Sequence, residues 1–390
     1  MTRDETPRIK TGSEQNLGPI LPFIRVLWSC VIRVPFFTGS RAMPSRIALV
    51  KPSALGDIVH ALPVLSALPD TFPHTRITWV VNAAYEPLLA GHPDLTDTLA
   101  FDRGAFKRGV RHAVGYSLRF AAELRRRRFD LVIDLQGLLR SGLMCVATGA
   151  PRRVGFAAAR EGSRYAYTRA IRVPDADRIH AVDRYWRVAE ALGAGGGAKR
   201  FHVPLQPDAV AWARAELAAL PRPLVGVAVG ARWVTKRWPP AHFAALARRA
   251  QADFGAGCAF VGTGEDTAAS QDVMTQLRGP AKDFTGRTTL PRLAAVLAAC
   301  DAVVANDTGP LHLAAALGRP CVAPYTCTRV AKHGPYTSMG GGVETTVACA
   351  GSYFKTCPNH MICMPDLTPD RLWVKLAEVL DAWARNCRSA

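Results

Sequence analysis

Asp307, Thr308, Gly309 and His312 stand just after the apolar run 302–305 and at the start of a second apolar run, 311–317. The first run reads as a short buried strand. Asn306 to Pro310 is turn chemistry, with Asp, Thr and Gly all suited to a helix start. Pro310 fits an early helical position, where no amide donor is needed, and Gly318 ends the helix. Backbone N–H groups around Thr308 to Leu311 then point out of a helix N-terminus at the end of a parallel strand, where α/β sheets bind phosphate groups. A capped strand–helix turn without a ligand is the plain alternative. A second segment has the same form. The strand 47–50 leads into Lys51, Pro52 and Ser53, then Gly56, Asp57 and His60. Gly56 permits close backbone approach, and Asp57 falls in the first helical turn, where the helix dipole keeps a carboxylate ionised.

The two segments together resemble the ADP-heptose:lipopolysaccharide heptosyltransferase family. Its pattern K-x-S-x-x-G-D-x-x-H-x-L-P is matched by Lys51, Ser53, Gly56, Asp57, His60, Leu62 and Pro63. Its D-T-G-x-x-H is matched by Asp307, Thr308, Gly309 and His312. Asp134, Gln136 and Gly137 match D-x-Q-G, and Lys236, Trp238 and Pro239 match K-x-W-P. The resemblance runs from residue 46 to about 380, and four ordered motifs are far more specific than one Gly-rich loop. It implies a GT-B architecture: two Rossmann-like, doubly wound α/β domains facing a central cleft. It also implies inverting transfer of heptose from ADP-heptose to the Kdo–lipid A inner core. The opening motif looks closest to members that add the first heptose, whereas the Cys-rich tail looks more like those that add the second. A GT-B nucleotide-sugar epimerase and a non-catalytic binding protein are the readings from other classes.

Such a transfer needs a base for the acceptor hydroxyl, positive charge for the departing diphosphate, and groups that read sugar hydroxyls. The resemblance places the base on Asp57, with His60 one turn on able to share the proton. Lys236 is the candidate for the leaving group. Arg232 and Arg237 are alternatives, since guanidinium grips phosphate bidentately. Many family members carry small hydroxyl residues early in this loop; here Arg232 and Trp233 stand instead. Thr235, Glu265, Asp307, Thr308, Gly309 and His312 are the donor-side candidates, with Glu265 facing the nucleotide ribose. Ser53, Gly56, His60, Gln136 and Arg140 are the acceptor-side candidates. No DxD-like pair and no His/Cys/Asp cluster with ligand spacing is visible, so neither metal nor cofactor is expected.

A net charge of +18 over 390 residues predicts acidic partners: a nucleotide sugar, phosphorylated lipid or an anionic membrane face. No nucleic-acid-binding signature accompanies it. The excess is local, with 15 Lys/Arg against 4 Asp/Glu between residues 103 and 169. Arg125 to Arg128 read as a solvated helix end. Arg140, Arg152, Arg153, Arg160 and Arg164 fall in or beyond loops after a strand, where an acidic acceptor would lie. The ten cysteines sit mostly among apolar residues, as free thiols do, and suggest a reducing, cytoplasmic compartment. Cys349, Cys357 and Cys363 lack C-x-x-C spacing.

The chain divides into four segments. Residues 1–45 form a disordered or membrane-interfacial extension. Its apolar part, 17–37, is broken by Arg25, Arg33 and three prolines, which argues against a spanning helix. Met43 is a plausible start. Residues 46–195 form an acceptor-binding domain, with strands at 46–50, 77–81, 99–102, 131–135 and 154–156. Helices are expected at 57–68, 84–90, 116–127, 137–148 and 180–192. Residues 200–368 form the nucleotide-sugar-binding domain, with strands at 224–229, 258–261, 302–305 and 321–324 and helices at 240–252, 266–277, 290–299 and 310–317. A final helix, 369–386 within the segment 369–390, is expected to cross back to the first domain. The protein is then peripheral on the cytoplasmic face of an inner membrane.

Overall fold

The computed structural model describes residues 43–336 and 338–388. The expected interfacial segment 17–37 lies outside them. The strands of the first half are β1 (Arg46–Val50), β2 (Arg76–Asn82), β3 (Asp97–Phe101), β4 (Leu131–Asp134), β5 (Arg152–Phe156) and β6 (Arg169–Ile171). They pair in parallel in the order β3-β2-β1-β4-β5-β6. Ile47, Ala48, Leu49 and Val50 of β1 are wholly buried. A strand apolar on both faces needs cover on both sides, which parallel sheets obtain from their crossover helices. Here these include α1 (Leu55–Thr71), α2 (Val110–Arg126) and α3 (Leu139–Thr148), and α4 (Ala181–Ala191) packs along α1.

The second half repeats the plan. Its strands are β7 (Leu224–Ala228), β8 (Gly257–Phe260), β9 (Ala281–Asp283), β10 (Ala302–Ala305), β11 (Cys321–Tyr325) and β12 (Gly340–Glu344). They form a second parallel sheet in the order β12-β11-β10-β7-β8-β9. The helices are α5 (Pro207–Leu217), α6 (Pro240–Phe254), α7 (Thr267–Met274), α8 (Leu290–Ala299), α9 (Gly309–Ala316), α10 (Val330–His333), α11 (Cys363–Asp366) and α12 (Pro369–Arg388). The Gly-rich join near 193–199 is tied back to α1: Thr71 Oγ1 donates to the Gly193 carbonyl at 3.1 Å, and Arg200 pairs with Asp70 at 2.8 Å. Helices α1 and α9 pack against each other, and one apolar cluster runs from Leu62 through to Leu311. Among the described residues no helix is long and apolar enough to cross a membrane.

Several expected boundaries differ from the structure for physical reasons. The expected helix 84–90 is one short turn, Glu86–Leu88, with Pro87 in it and Gly91 in the left-handed region beyond it. Strands β6, β9 and β12 and helix α5 were not expected. Two of those strands have only three residues, and β12 begins with three glycines, so no alternating pattern announces them. The last helix does not cross back. Leu372, Trp373, Leu376, Val379 and Leu380 sit in the core of the second sheet with Val225, Phe243 and Leu246. Its apolar face is matched there by α6 and by β10 to β12. Leu376→Ala should therefore lower unfolding free energy by about 2–5 kcal/mol, read from the urea midpoint. A loss below about 0.5 kcal/mol would place that helix outside the core.

Candidate active site

Two strand ends build the site, one from each sheet. At the end of β1 the chain places Lys51 almost fully inside, 2% exposed, with its ammonium 3.7 Å from Asp57. The Tyr185 hydroxyl, on α4, donates to Asp57 Oδ1 at 2.8 Å, and the Ala54 amide donates to Oδ2 at 3.2 Å. Burial alone would raise the Asp57 pKa. The Lys51 charge and the Tyr185 hydrogen bond outweigh it, and the net pKa lies below the ordinary value. Burial would likewise lower Lys51, but Asp57 holds it above its ordinary value. Tyr185 is pushed up by burial and by the Asp57 charge, so its phenol keeps the proton it donates. The Asp57 side chain is still 39% exposed, open to a partner on one side.

At the end of β10 the second carboxylate is in a different state. Asp307 is 4% exposed, and all its neighbours donate to it. Lys236 Nζ lies 2.6 Å from Oδ2, the Thr328 hydroxyl donates to Oδ2 at 2.7 Å, and His312 Nε2 lies 3.2 Å from Oδ1. Burial opposes its charge. The His312 hydrogen bond and the Lys236 charge overcome that and hold it far below the usual carboxylate range. Asn306 locks the arrangement: its side chain accepts from the Trp238 amide at 3.1 Å and donates to the Val229 carbonyl at 2.8 Å. Trp238 donates its indole N–H to the Leu367 carbonyl at 2.7 Å. These bonds hold the loop carrying Lys236 against the β10 turn.

The two centres meet through glycines. A methyl group in place of a Gly56 hydrogen would lie 2.6 Å from His312 Cδ2, and one on Gly309 would lie 2.6 Å from a Leu55 methyl carbon. Neither distance is sterically possible without movement, so both helix starts approach as only glycine allows. The His60 ring lies between them, 4.4 Å from His312 and 5.3 Å from His180. His180 caps α4, accepting from the Val182 amide, and its Nε2 lies 2.9 Å from the Gly334 carbonyl. Its other ring nitrogen accepts, so Nε2 carries the proton. His60 Nε2 and His312 Nδ1 are buried without a hydrogen-bond partner among the described residues.

The remaining expected site residues serve several different ends. The Ser53 amide donates to Gln136 Oε1 at 3.3 Å, which joins the first motif to the turn after β4. Asp134 accepts from the Gln136 and Gly137 amides and from the Tyr167 hydroxyl, so it shapes that turn from within. Thr308 occupies the N-cap position of α9, but its hydroxyl donates back to the Asn306 carbonyl at 3.1 Å. Glu265 is exposed on a short turn after β8 and has no ion pair among the described residues. Arg140 is exposed over the Phe101 ring at 5.9 Å. The Thr235 hydroxyl donates to the Phe354 carbonyl at 2.7 Å, which makes it a tether between loops. Arg153 is likewise spent internally, on the carbonyls of Ala166 and Ala150. The nine cysteines described are all free thiols. Among the described residues no group of three His, Cys, Asp or Glu side chains could hold a metal ion.

Tyr185, Thr328, Asn306 and His180 were not singled out from the sequence. Tyr185 is 128 residues from Asp57. It lies on a helix whose spacing explains a buried aromatic equally well, so no local signal marks it.

Two doubly wound parallel sheets whose central strands lead into facing helix starts have the GT-B architecture of one class of glycosyltransferases. Within that class, the chain belongs to glycosyltransferase family 9, the heptosyltransferases, whose family model matches residues 117–362. It is 30% identical over 364 residues to lipopolysaccharide heptosyltransferase 1 of Pseudomonas aeruginosa, covering 86% of this chain and 98% of that protein. It is 29% identical over 296 residues to lipopolysaccharide heptosyltransferase 2 of Escherichia coli, covering 72% and 82%. The crystal structure of the E. coli ADP-heptose lps heptosyltransferase II superposes with a TM-score of 0.68 at 24% identity, over 87% of this chain and 99% of that one.

The buried imidazoles generate a pH dependence. Burial pushes His180 and His333 down to about 4 from an ordinary 6.5, and His60 well below that ordinary value. The unfolded chain takes up these protons near pH 6.5 and the folded chain does not. Stability is therefore complete above that pH and is lost as pH falls toward 4. The expected result is a Tm that declines from pH 7 to pH 5, with a smaller decline in His60→Gln. Equal declines in the two proteins would mean that His60 is not held neutral by the seam.

Proposed function

We propose that this heptosyltransferase acts in lipopolysaccharide inner-core synthesis, moving heptose from ADP-heptose to a Kdo–lipid A acceptor at an anionic membrane face. One observation carries the reading. An ionised, part-exposed carboxylate, Asp57, is joined through Gly56, His312 and Asp307 to the Lys236 ammonium. A base and a cation held on opposite halves are what a displacement at a sugar carbon needs. The acceptor hydroxyl loses its proton to Asp57 as its oxygen bonds to the anomeric carbon. The bond from that carbon to the diphosphate breaks, and the nucleoside diphosphate leaves with the electron pair. A single displacement inverts the anomeric centre.

The names of the relatives support the donor and the pathway, since both act in lipopolysaccharide synthesis and the E. coli structure is named for ADP-heptose. The opening motif, Lys51 to His60, favours the first heptose transfer. Second-heptose transfer is the alternative. In the reading favoured here, Asp307, Thr308, Gly309 and His312 hold the donor, and Glu265 reads the ribose. Ser53, Gly56, His60, Gln136 and Arg140 border the acceptor. The net charge of +18 fits both a phosphorylated acceptor and peripheral attachment to the cytoplasmic leaflet.

Incubation with ADP-heptose and Kdo–lipid A should give a product heavier by one heptose in mass spectra, with or without EDTA. Asp57→Asn keeps the shape and removes the basicity, so turnover should fall by about two to four powers of ten while ADP affinity changes little. Turnover within threefold of wild type would put the base elsewhere. Product formed only on an already heptosylated acceptor would assign the second transfer.

A further inference from the structure

Helix α2 has two apolar sides, and the fold uses one of them. Tyr116, Phe120 and Leu124 face the sheet. The Tyr116 and Phe120 rings lie 5.9 and 5.3 Å from the Phe101 ring at the end of β3, and Leu124 is buried. The Asp102 amide donates to the Tyr116 hydroxyl at 2.7 Å, which ties the helix to that edge strand. Phe106, Val110, Val114 and Leu118 follow at four-residue steps, which puts the last three on one side of the helix. Val110 is 80% and Leu118 64% exposed, and Phe106 and Val114 are exposed as well. A helix lying on a sheet needs one apolar stripe. A second stripe left in solvent marks an interaction surface.

The charge around this stripe has one sign. Residues 103 to 122 include Arg103, Lys107, Arg108, Arg111 and Arg119, and no Asp or Glu. All five cations are exposed, and none has a carboxylate within ion-pair distance among the described residues. The next acidic residue, Glu123, is already paired with Arg126 and Arg127. Long cationic side chains beside shorter apolar ones fit a layered partner, with negative charge at its surface and hydrocarbon beneath. The stripe also adjoins the acceptor side of the protein. The Phe101 ring meets both the Phe106 ring, at 5.7 Å, and the Arg140 guanidinium, at 5.9 Å.

We propose that the outer side of α2, with the turn before it, is the surface that docks this protein on an anionic lipid bilayer. Val110, Val114 and Leu118 enter the boundary of the acyl layer, and Lys107, Arg108 and Arg111 lie among the lipid phosphates. Docked in this way, the protein turns Arg140 and the acceptor side toward the surface in which a lipid acceptor is anchored. That consequence rests on the transfer reading above. The docking claim rests on the helix face itself.

Co-sedimentation of the full chain with vesicles tests the claim without donor or acceptor. Wild type should bind vesicles of phosphatidylglycerol and phosphatidylethanolamine, more weakly at high salt, and bind phosphatidylcholine vesicles poorly. Val110→Ser with Leu118→Ser should lower affinity by on the order of tenfold at every salt concentration. Arg108→Gln with Arg111→Gln should lower it by about fivefold per cation at low salt and little at high salt. All four side chains are exposed, so Tm should stay unchanged in both variants. The apolar double variant should keep its transfer rate on detergent-solubilised acceptor and lose rate on acceptor held in vesicles. No vesicle binding by wild type would overturn the proposal. Unchanged binding by the apolar double variant would also overturn it and move attachment to another part of the chain. A wild-type dimer that this variant loses, with vesicle binding retained, would give the face to a second copy instead. Vesicle binding that depends on Val110 and Leu118, without any heptose transfer, would remove the transfer reading and leave the docking surface standing.

Discussion

Gly56 and Gly309 begin the helices that come after the central strands of the two sheets. Each lies against the opposite half, Gly56 against His312 and Gly309 against Leu55, at distances that leave no room for a methyl group. The rest of the site depends on that close approach. It seats the His60 ring between His180 and His312, in a seam whose apolar cluster draws on both sheets. It also brings His312, the partner of Asp307, against the helix start that carries Asp57. A larger residue at either glycine would separate the halves, and each centre would then lose the contacts that adjust it.

The two carboxylates are alike in being ionised and unlike in what they can do. Asp307 has a lysine, a threonine hydroxyl and a histidine N–H on its two oxygens and almost no exposure. A carboxylate so fully engaged is a fixed anchor and a poor base, because protonating it would strand three donors. Asp57 has one hydroxyl and one amide, a lysine at 3.7 Å, and a face still open. It can accept a proton from a bound hydroxyl. Lys51 and Tyr185 keep it charged until then. Environment separates the roles, as it does whenever two carboxylates share one site.

Much of this was legible in the sequence, and the limits have physical causes. The paired strand–turn–helix segments, the two doubly wound halves and Asp57, His60, Lys236, Asp307 and His312 are local patterns, and the structure brings these side chains into one seam. What the sequence could not show is pairing across long separations. Tyr185 reaches Asp57 from α4, and Thr328 reaches Asp307 from beyond β11; neither stands in a motif. Thr235 shows how a side chain's partner across a long separation is equally hidden. Its type and place suggest a donor-binding hydroxyl, and the Phe354 carbonyl, 119 residues away, accepts from it. The final helix was assigned to the wrong half because its amphipathic pattern reports that it has a buried face, and does not report which surface meets it.

Basicity at this site depends most on Asp57 being held as a carboxylate by Lys51 and Tyr185. The most direct test is the pH dependence of kcat/KM for wild type and Tyr185→Phe, which removes one hydroxyl and little else. The acid limb of wild type should lie below the ordinary carboxylate range, because the net pKa of Asp57 is lowered. Loss of the Tyr185 hydrogen bond should move that limb to higher pH, by up to about one unit, with the plateau retained. An acid limb that does not move, or that moves to lower pH, would contradict the claim that this pair sets the basicity of the site.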